Sequence, residues 1–167
     1  MSIFITGGAG FVGSNLAKSY RNQYPDRRIV LFDNLKRRGS ELNLPEFKKL
    51  GIEFVHGDVR STDDLASVEG NFDLFIDAAA EPSAHAGTDS SPSYLLQTNL
   101  VGTLNCLEFA RKRCGGMIFL STSRVYSLPA QRAIALREST TRFEIDESAP
   151  MAMGLSAKGI AENFDTT

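Results

Sequence analysis

A glycine-rich turn near the amino terminus constrains this chain more than any other stretch. An apolar run at 3–5 is followed by three glycines at intervals of three residues and then by a helical pattern; the glycines are Gly7, Gly10 and Gly13. The spacing predicts a strand, a tight turn and a helix, with the first glycine permitting the turn, the second admitting a pyrophosphate and the third allowing close packing. Because a helix amino terminus presents free N–H groups, Phe11 and Val12 at its start complete a candidate phosphate site.

An acid ends the second apolar run. Asp33 closes the stretch 28–33 and lies 20 residues after Gly13. A carboxylate at this spacing can accept hydrogen bonds from the adenosine ribose hydroxyls, and it repels a 2′-phosphate. The two features together predict NAD as the cofactor and disfavour NADP. The alternative is that Asp33 is an ordinary acid at the start of a loop.

Composition limits the classes of function. The 167 residues suit one domain, 42% of them are hydrophobic, and a net charge of −2 gives no electrostatic support for a nucleic-acid partner. No apolar stretch reaches transmembrane length and no signal peptide is recognisable, so we expect a cytoplasmic protein without a membrane partner. Cys106 and Cys114 lack metal-ligand spacing and the chain has only two histidines, so we expect free thiols and no metal site.

Apolar runs alternate with helical patterns along most of the chain. Five runs are predicted to be buried strands: 3–5, 29–32, 52–55, 72–76 and 117–120. The longest helical pattern, 93–113, carries a leucine stripe consisting of Leu96, Leu100, Leu104 and Leu107. This alternation predicts an α/β fold, a doubly wound parallel sheet with helices on both faces. We assign 1–126 to a dinucleotide-binding domain and expect 127–167, where the periodicity fades, to be irregular.

Polar and small residues follow the predicted strands, where an open α/β sheet binds its ligands. The acid at 58 is a candidate acceptor for the adenine amino group, with the next N–H donating to a ring nitrogen, but a turn acid is equally compatible. The alanines at 78–80 leave room for a flat cofactor, or simply pack strand against helix. The hydroxyls at 121–123 can bond a substrate oxygen, or cap a turn. These candidates are Asp58, Val59, Ala78, Ala79, Ala80, Ser121, Thr122 and Ser123.

Several motifs occur in a fixed order along nearly the whole chain. They are Thr6-Gly-Gly-Ala-Gly-Phe-Val-Gly-Ser-Asn15, Asp33-Asn-Leu35, Gly57-Asp-Val59, Ala78–Ala80, Asn99-Leu-Val-Gly-Thr103 and Ser121-Thr-Ser-Arg-Val-Tyr126. The ordered set resembles the extended short-chain dehydrogenases/reductases, among them the nucleotide-sugar epimerases and dehydratases. The resemblance implies a Rossmann-like sheet and NAD bound by the positions above together with Asn34, Leu35, Asn99 and Ser121. By residue type alone, Asn99 either faces solvent or bonds backbone.

The resemblance also implies a reaction. A sugar hydroxyl is deprotonated while its carbon gives hydride to NAD⁺, and hydride then returns to the other face of the keto-sugar. Thr122, with Ser123 beside it, is by this resemblance the catalytic hydroxyl that orients the reacting oxygen. The runs 33–40, 121–126 and 155–164 are most similar to family members that invert C2 of a CDP-linked 3,6-dideoxyhexose. We therefore expect a CDP-sugar as the partner and a homo-oligomer for the full-length protein.

The chain departs from the family at the general base. That base is a Tyr followed four residues later by a Lys, and none of the four tyrosines here has such a Lys; the residue four after Tyr126 is Ala130. We therefore expect an amino-terminal part of such an enzyme, with its sheet ending after the fifth strand and inactive alone. Two alternatives stay open: a stand-alone NAD-binding module without catalysis, and an NAD-dependent nucleotide-sugar 4-epimerase or 4,6-dehydratase.

Overall fold

The chain forms two compact units. The computed structural model describes residues 1–83, 85–88, 91–122 and 125–166, and the units are Met1–Leu120 and Ser121–Thr167. The sequence places the domain boundary after 126, whereas the contacts divide the chain after Leu120. The hydroxyl cluster that begins at Ser121 therefore starts the second unit.

Strands and helices alternate through the first unit, as the sequence predicts. A 3₁₀ turn at Ser40–Asn43 and a π-helical segment at Gln97–Gly102 lie between regular elements of this unit. The elements are β1 Ile3–Thr6, α1 Phe11–Gln23, β2 Ile29–Asp33, α2 Leu44–Lys49, β3 Glu53–His56, α3 Thr62–Ala66, β4 Leu74–Asp77, α4 Ser93–Leu96, α5 Thr103–Arg113 and β5 Met117–Phe119.

These five strands pair in parallel in the order β3-β2-β1-β4-β5. Ile3 of β1 lies opposite Ile29 of β2 on one side and Leu74 of β4 on the other. Because the chain crosses from β3 to the far side of β1 before forming β4, the strand order reverses between β1 and β4. An open α/β sheet has a crevice at such a point, beyond the carboxyl ends of its strands. The predicted doubly wound parallel sheet is confirmed.

Both faces of the sheet are covered by helices. Phe4 of β1 is fully buried on one face, and its ring centroid lies 5.0 Å from those of Phe75 in β4 and Phe109 in α5. The next residue, Ile5, is buried on the opposite face in a cluster with Ala17 of α1. The alternation along β1 thus places one apolar cluster on each side, which explains why successive residues of this central strand are apolar.

The long helical stretch approaches the sheet through small residues. Its residues buried in the fold are Thr98, Gly102, Cys106, Phe109 and Ala110. The predicted leucine stripe (Leu96, Leu100, Leu104 and Leu107) lies elsewhere on the helix and is 48–57% exposed. Among the helices of the described ranges, none combines the length and apolarity needed to cross a membrane.

The second unit contains short regular elements where the sequence predicts an irregular segment. Its described residues form one helix and two antiparallel hairpins: α6 Leu128–Arg132, β6 Leu136–Glu138 with β7 Phe143–Ile145, and β8 Leu155–Ser156 with β9 Gly159–Ile160. Strands of two or three residues are too short to leave an alternating pattern. Phe164 is buried and packs edge-on against Tyr126, with 5.9 Å between ring centroids.

Candidate functional site

A cavity of about 400 Å³ lies at the carboxyl edge of the sheet in the first unit. The loops leaving β1, β2, β3 and β4 contribute to its wall, together with the start of α1 and part of the long helical stretch. The sequence-predicted cofactor residues that line it are Gly7, Gly10, Phe11, Val12, Gly13, Asp33, Asn34, Val59, Ala78, Ala79 and Ala80. The topology therefore gathers residues from four separate sequence motifs around one space.

The glycine turn forms a close-fitting floor to this cavity. Gly7 has a φ of 61°, and a Cβ there would lie 2.5 Å from the Ala78 carbonyl oxygen. A Cβ on Gly13 would lie 2.8 Å from the Gly8 Cα. The first bond inside α1 runs from the Ser14 N–H to the Gly10 carbonyl at 3.0 Å, so the N–H groups before it lack helical partners. Free donors at a helix start are suited to an anion such as a pyrophosphate.

Asp33 braces the glycine turn from the end of β2. One carboxylate oxygen accepts the Ala9 N–H at 3.1 Å and the other accepts the Leu35 N–H at 2.8 Å. Leu35 has a φ of 53° and does not line the cavity. A carboxylate oxygen can accept two hydrogen bonds, so both oxygens of Asp33 keep a free position for a ribose hydroxyl.

Asp58 holds the loops after β2 and β3 together. Its carboxylate accepts four hydrogen bonds, one from the Asn34 amide and three from the backbone and guanidinium of Arg60. The Arg60 guanidinium is the main reason that the pKa of Asp58 is lowered to about 2, although partial burial opposes it. Asp58 is not part of the cavity wall, whereas Val59 is. To accept a bond from adenine, Asp58 has to release one of these four partners.

The alanine run after β4 is fixed by a buried acid. Asp77 is 2% exposed; one of its oxygens accepts the Thr6 hydroxyl at 2.6 Å and the Ala79 N–H at 3.2 Å. Burial raises the pKa of Asp77, and its hydrogen bonds with Thr6, Ala79 and Cys106 oppose the shift without cancelling it. The three alanines of the run line the cavity with short side chains.

The long helical stretch contributes a residue to the cavity wall that sequence reasoning missed. Thr98 lines the wall, is 7% exposed, and its hydroxyl has no hydrogen-bond partner among the described residues. The neighbouring Asn99 does not line the cavity. Its amide oxygen accepts the Glu81 N–H at 2.8 Å and its amide nitrogen donates to the Glu81 carbonyl at 3.1 Å. Asn99 thus bonds backbone, and the π-helical register decides which of the two residues reaches the cavity.

An aromatic ring between two cations closes one side of the cavity. Tyr94 of α4 lines the wall, with the Lys36 ammonium 2.8 Å and the Arg60 guanidinium carbon 4.7 Å from its ring centroid. The three side chains come from three different loops or helices. No spacing in the sequence links them, so only the folded chain could reveal the cluster.

The hydroxyl cluster predicted to be catalytic does not belong to the first unit. Ser121 and Thr122 are exposed residues at the start of the second unit. Ser123, the other predicted hydroxyl, lies outside the described residues. The catalytic assignments of Thr122 and Ser123 therefore stay predictions.

A family comparison agrees with the fold and the cavity. The model of the NAD dependent epimerase/dehydratase family matches residues 3–152. The chain therefore belongs to this family, as its ordered motifs predict.

Individual relatives include both epimerases and dehydratases. The chain is 38% identical over 132 residues to the CDP-paratose 2-epimerase of Salmonella typhi, and 30% identical over 126 residues to a dTDP-glucose 4,6-dehydratase of Mycobacterium tuberculosis. Each match covers 75% of this chain and 38% of the relative. The dTDP-glucose 4,6-dehydratase DesIV of Streptomyces venezuelae, solved with NAD bound, has a TM-score of 0.67 at 31% identity, covering 75% of this chain and 41% of that one. The chain thus spans about two fifths of the length of these relatives.

Proposed function

We propose that the first unit binds NAD in the cavity at the carboxyl edge of the sheet. The observation that carries the proposal is the convergence of four strand ends on a cavity whose floor is a glycine turn. NAD also fits the polar atoms at this cavity. The free N–H groups of α1 suit a pyrophosphate, and the buried hydroxyl of Thr98 lacks a protein partner among the described residues.

Each part of the cofactor has a proposed contact. The start of α1 beside Gly10 holds the pyrophosphate, Asp33 the adenosine ribose and Val59 the adenine. The alanine run Ala78–Ala80 faces the nicotinamide half. Asn34, Leu35, Asp58 and Asn99 act indirectly in this proposal, because their side chains or backbones fix the loops that bear the contacts.

Calorimetric titration with NAD and NADP tests the proposal. The chain should bind NAD, and Asp33→Ala should weaken that binding by about 1–3 kcal/mol, the usual value of a charge-assisted hydrogen bond. Asp26→Ala is the matched control, since Asp26 is an exposed acid in the loop between α1 and β2, at the other edge of the sheet. Unchanged NAD affinity in Asp33→Ala, or equal binding of NADP, would contradict the role given to Asp33.

We further propose that the enzyme containing this unit is a nucleotide-sugar epimerase that inverts C2 of a CDP-3,6-dideoxyhexose. The similarity to CDP-paratose 2-epimerase over 75% of the chain supports this choice. NAD, when bound, supplies the chemistry by accepting and returning a hydride. The chain's own contribution is to hold the cofactor and to orient the sugar oxygen through Thr122, with Ser123 as its neighbour. Because 4,6-dehydratases are also among the relatives, the competing proposal is that the enzyme dehydrates a nucleotide sugar on the same scaffold.

Substrate trials on the enzyme that contains this unit distinguish the two reactions. CDP-paratose should be converted to CDP-tyvelose, and nuclear magnetic resonance should detect the inversion at C2. A dTDP-glucose substrate should give no 4-keto-6-deoxy product. The reverse pattern would establish the dehydratase and remove the narrower proposal.

A non-catalytic NAD-binding role is the second candidate. This role needs only the cavity of the first unit with its glycine turn, and no catalytic tyrosine. A chain acting only as a binding module should bind NAD but should convert neither CDP-paratose nor dTDP-glucose to any product. A longer reading frame that contains a Tyr-x-x-x-Lys motif, and whose product converts one of these nucleotide sugars, would remove this candidate.

We also propose that copies of the protein associate through the leucine stripe of the long helix. Four leucines about half exposed on one helix form a large apolar surface for a single copy. Sedimentation should show a self-associating protein, and Leu104→Glu should shift it toward the monomer. A wild-type chain that sediments as a monomer at all concentrations would contradict the proposal.

A further inference from the structure

The loop that leaves β3 has nearly all its backbone N–H groups bonded within the protein. The Asp58 N–H donates to the Asp64 carboxylate, the Arg60 N–H to the Asp58 carboxylate and the Ser61 N–H to the Asp58 carbonyl, each at 2.9 Å. The Val59 N–H has no acceptor among the described residues, and Val59 lines the cavity. One free donor therefore remains on the cavity wall, in a loop that is otherwise fixed.

Val59 is also held from the side of the long helix. The amide nitrogen of Asn105 in α5 donates to the Val59 carbonyl at 2.9 Å. Three residues earlier in the helix, a Cβ on Gly102 would lie 2.8 Å from the Cγ2 of Val59, so the helix backbone packs directly on this side chain. Because the Val59 carbonyl and N–H lie in successive peptide planes that meet at one Cα, holding the carbonyl restricts the direction of the N–H.

We propose that Asn105 is a positioning residue for base selection, which directs the Val59 N–H at N1 of adenine. The inference rests on the proposed binding of NAD. N1 of adenine accepts a hydrogen bond, whereas N1 of hypoxanthine carries a hydrogen and opposes a second donor. A fixed N–H at this place therefore favours adenine, and a donor that can turn away loses the preference.

Titration with two dinucleotides measures the effect. The probes are NAD and nicotinamide hypoxanthine dinucleotide, which differ only in the base. The wild-type chain should bind NAD more tightly by about tenfold, the equivalent of one hydrogen bond. In Asn105→Ala the NAD affinity should fall by about tenfold while the affinity for the hypoxanthine analogue changes by less than about twofold. Lys112→Ala, an exposed change on the same helix, should leave both affinities as in the wild type.

A second variant tests the same positioning without removing the amide. Gly102→Ala pushes a methyl group against the Val59 side chain and should give the same selective loss of NAD affinity. Alanine is a better helix former than asparagine or glycine, so α5 itself is retained in both variants, and thermal unfolding checks this.

The outcomes separate the inference from the proposed function. If Asn105→Ala and Gly102→Ala keep the wild-type preference for NAD, or weaken both dinucleotides equally, Asn105 has no part in base selection although NAD still binds. If the wild-type chain binds neither dinucleotide, the proposed function falls and the inference falls with it.

Discussion

Gly13→Ala should weaken the fold of the first unit. The added methyl carbon would lie 2.8 Å from the Gly8 Cα and 2.9 Å from the Gly7 carbonyl carbon, and it would meet the Gly7 carbonyl oxygen more closely still. All three atoms are backbone, so no side-chain rotation relieves the overlap and α1 has to move away from the turn. Overpacking of this kind typically costs about 1–3 kcal/mol. At 2–4 °C per kcal/mol for a chain of this size, Tm should fall by roughly 2–12 °C.

Gly10→Ala is the matched comparison, because it should spare the fold and damage binding. Gly10 has φ −73° and ψ 174°, a conformation that alanine adopts readily. Its added methyl would meet one atom within 4 Å, the Gly7 carbonyl oxygen at 3.2 Å. We expect a stability change within about 0.5 kcal/mol. The methyl would stand where the pyrophosphate approaches the backbone, so NAD affinity should fall by about tenfold or more.

Thermal unfolding with and without NAD distinguishes the two variants. Ligand at about 100 times its Kd should stabilise the wild-type chain by about 2.7 kcal/mol. Without ligand, the Tm of Gly13→Ala should lie below that of the wild type, whereas the Tm of Gly10→Ala should lie near it. NAD should raise the Tm of Gly10→Ala only a little. A wild-type Tm for Gly13→Ala would refute the packing role of this glycine. Wild-type stabilisation of Gly10→Ala by NAD would refute the assignment of the turn to the pyrophosphate.

Further predictions concern the core and two acids. Phe4→Ala should lower the free energy of unfolding in urea by about 3–5 kcal/mol, and a loss below about 1 kcal/mol would contradict its central place. The depressed pKa of Asp58 means that its pairing with Arg60 stabilises the fold above about pH 4 and is lost as pH falls toward 2. The stability difference between wild type and Arg60→Leu should therefore be constant from pH 7 to 4 and shrink below it. The raised pKa of Asp77 means that the folded state opposes its negative charge at neutral pH. Asp77→Asn, whose amide oxygen can still accept a hydrogen bond from Thr6, should therefore stabilise the chain at pH 7 but not near pH 3. Equal changes in stability at both pH values would count against this.

The sheet was predictable because local pattern and global fold agree in the first unit. The strands at 3–5 and 29–32 are wholly apolar and the strand at 52–55 is apolar apart from Glu53; all are bounded by turn residues, and helical patterns separate them. The right-handed crossover rule then leaves few parallel arrangements. The second unit lacks this agreement between local pattern and fold. Its strands have two or three residues, and the turns that join them determine their pairing.

The candidate site was predictable where one residue both follows a strand and has the right chemistry. Gly10, Asp33 and Val59 satisfy both conditions and line the cavity. Thr98 did not stand out, because its place on the cavity wall depends on a π-helical register that the sequence pattern does not reveal. Tyr94 was missed for a different reason, since its two cationic neighbours come from loops distant in sequence.

Most side chains of the proposed site also hold its loops in place, and this changes how its variants should be interpreted. Asp33 bonds the glycine turn, Asp77 bonds the alanine run and Asn99 bonds the backbone of Glu81. Removing any of these groups shifts backbone that would face the cofactor, so a loss of NAD affinity cannot be assigned to a missing contact alone. The Thr98 hydroxyl is buried and has no protein partner among the described residues, so Thr98→Val keeps the shape of the wall and removes no bond that holds a loop. A loss of NAD affinity in that variant, at unchanged Tm, therefore reports direct contact in a way that no loop-bracing residue can.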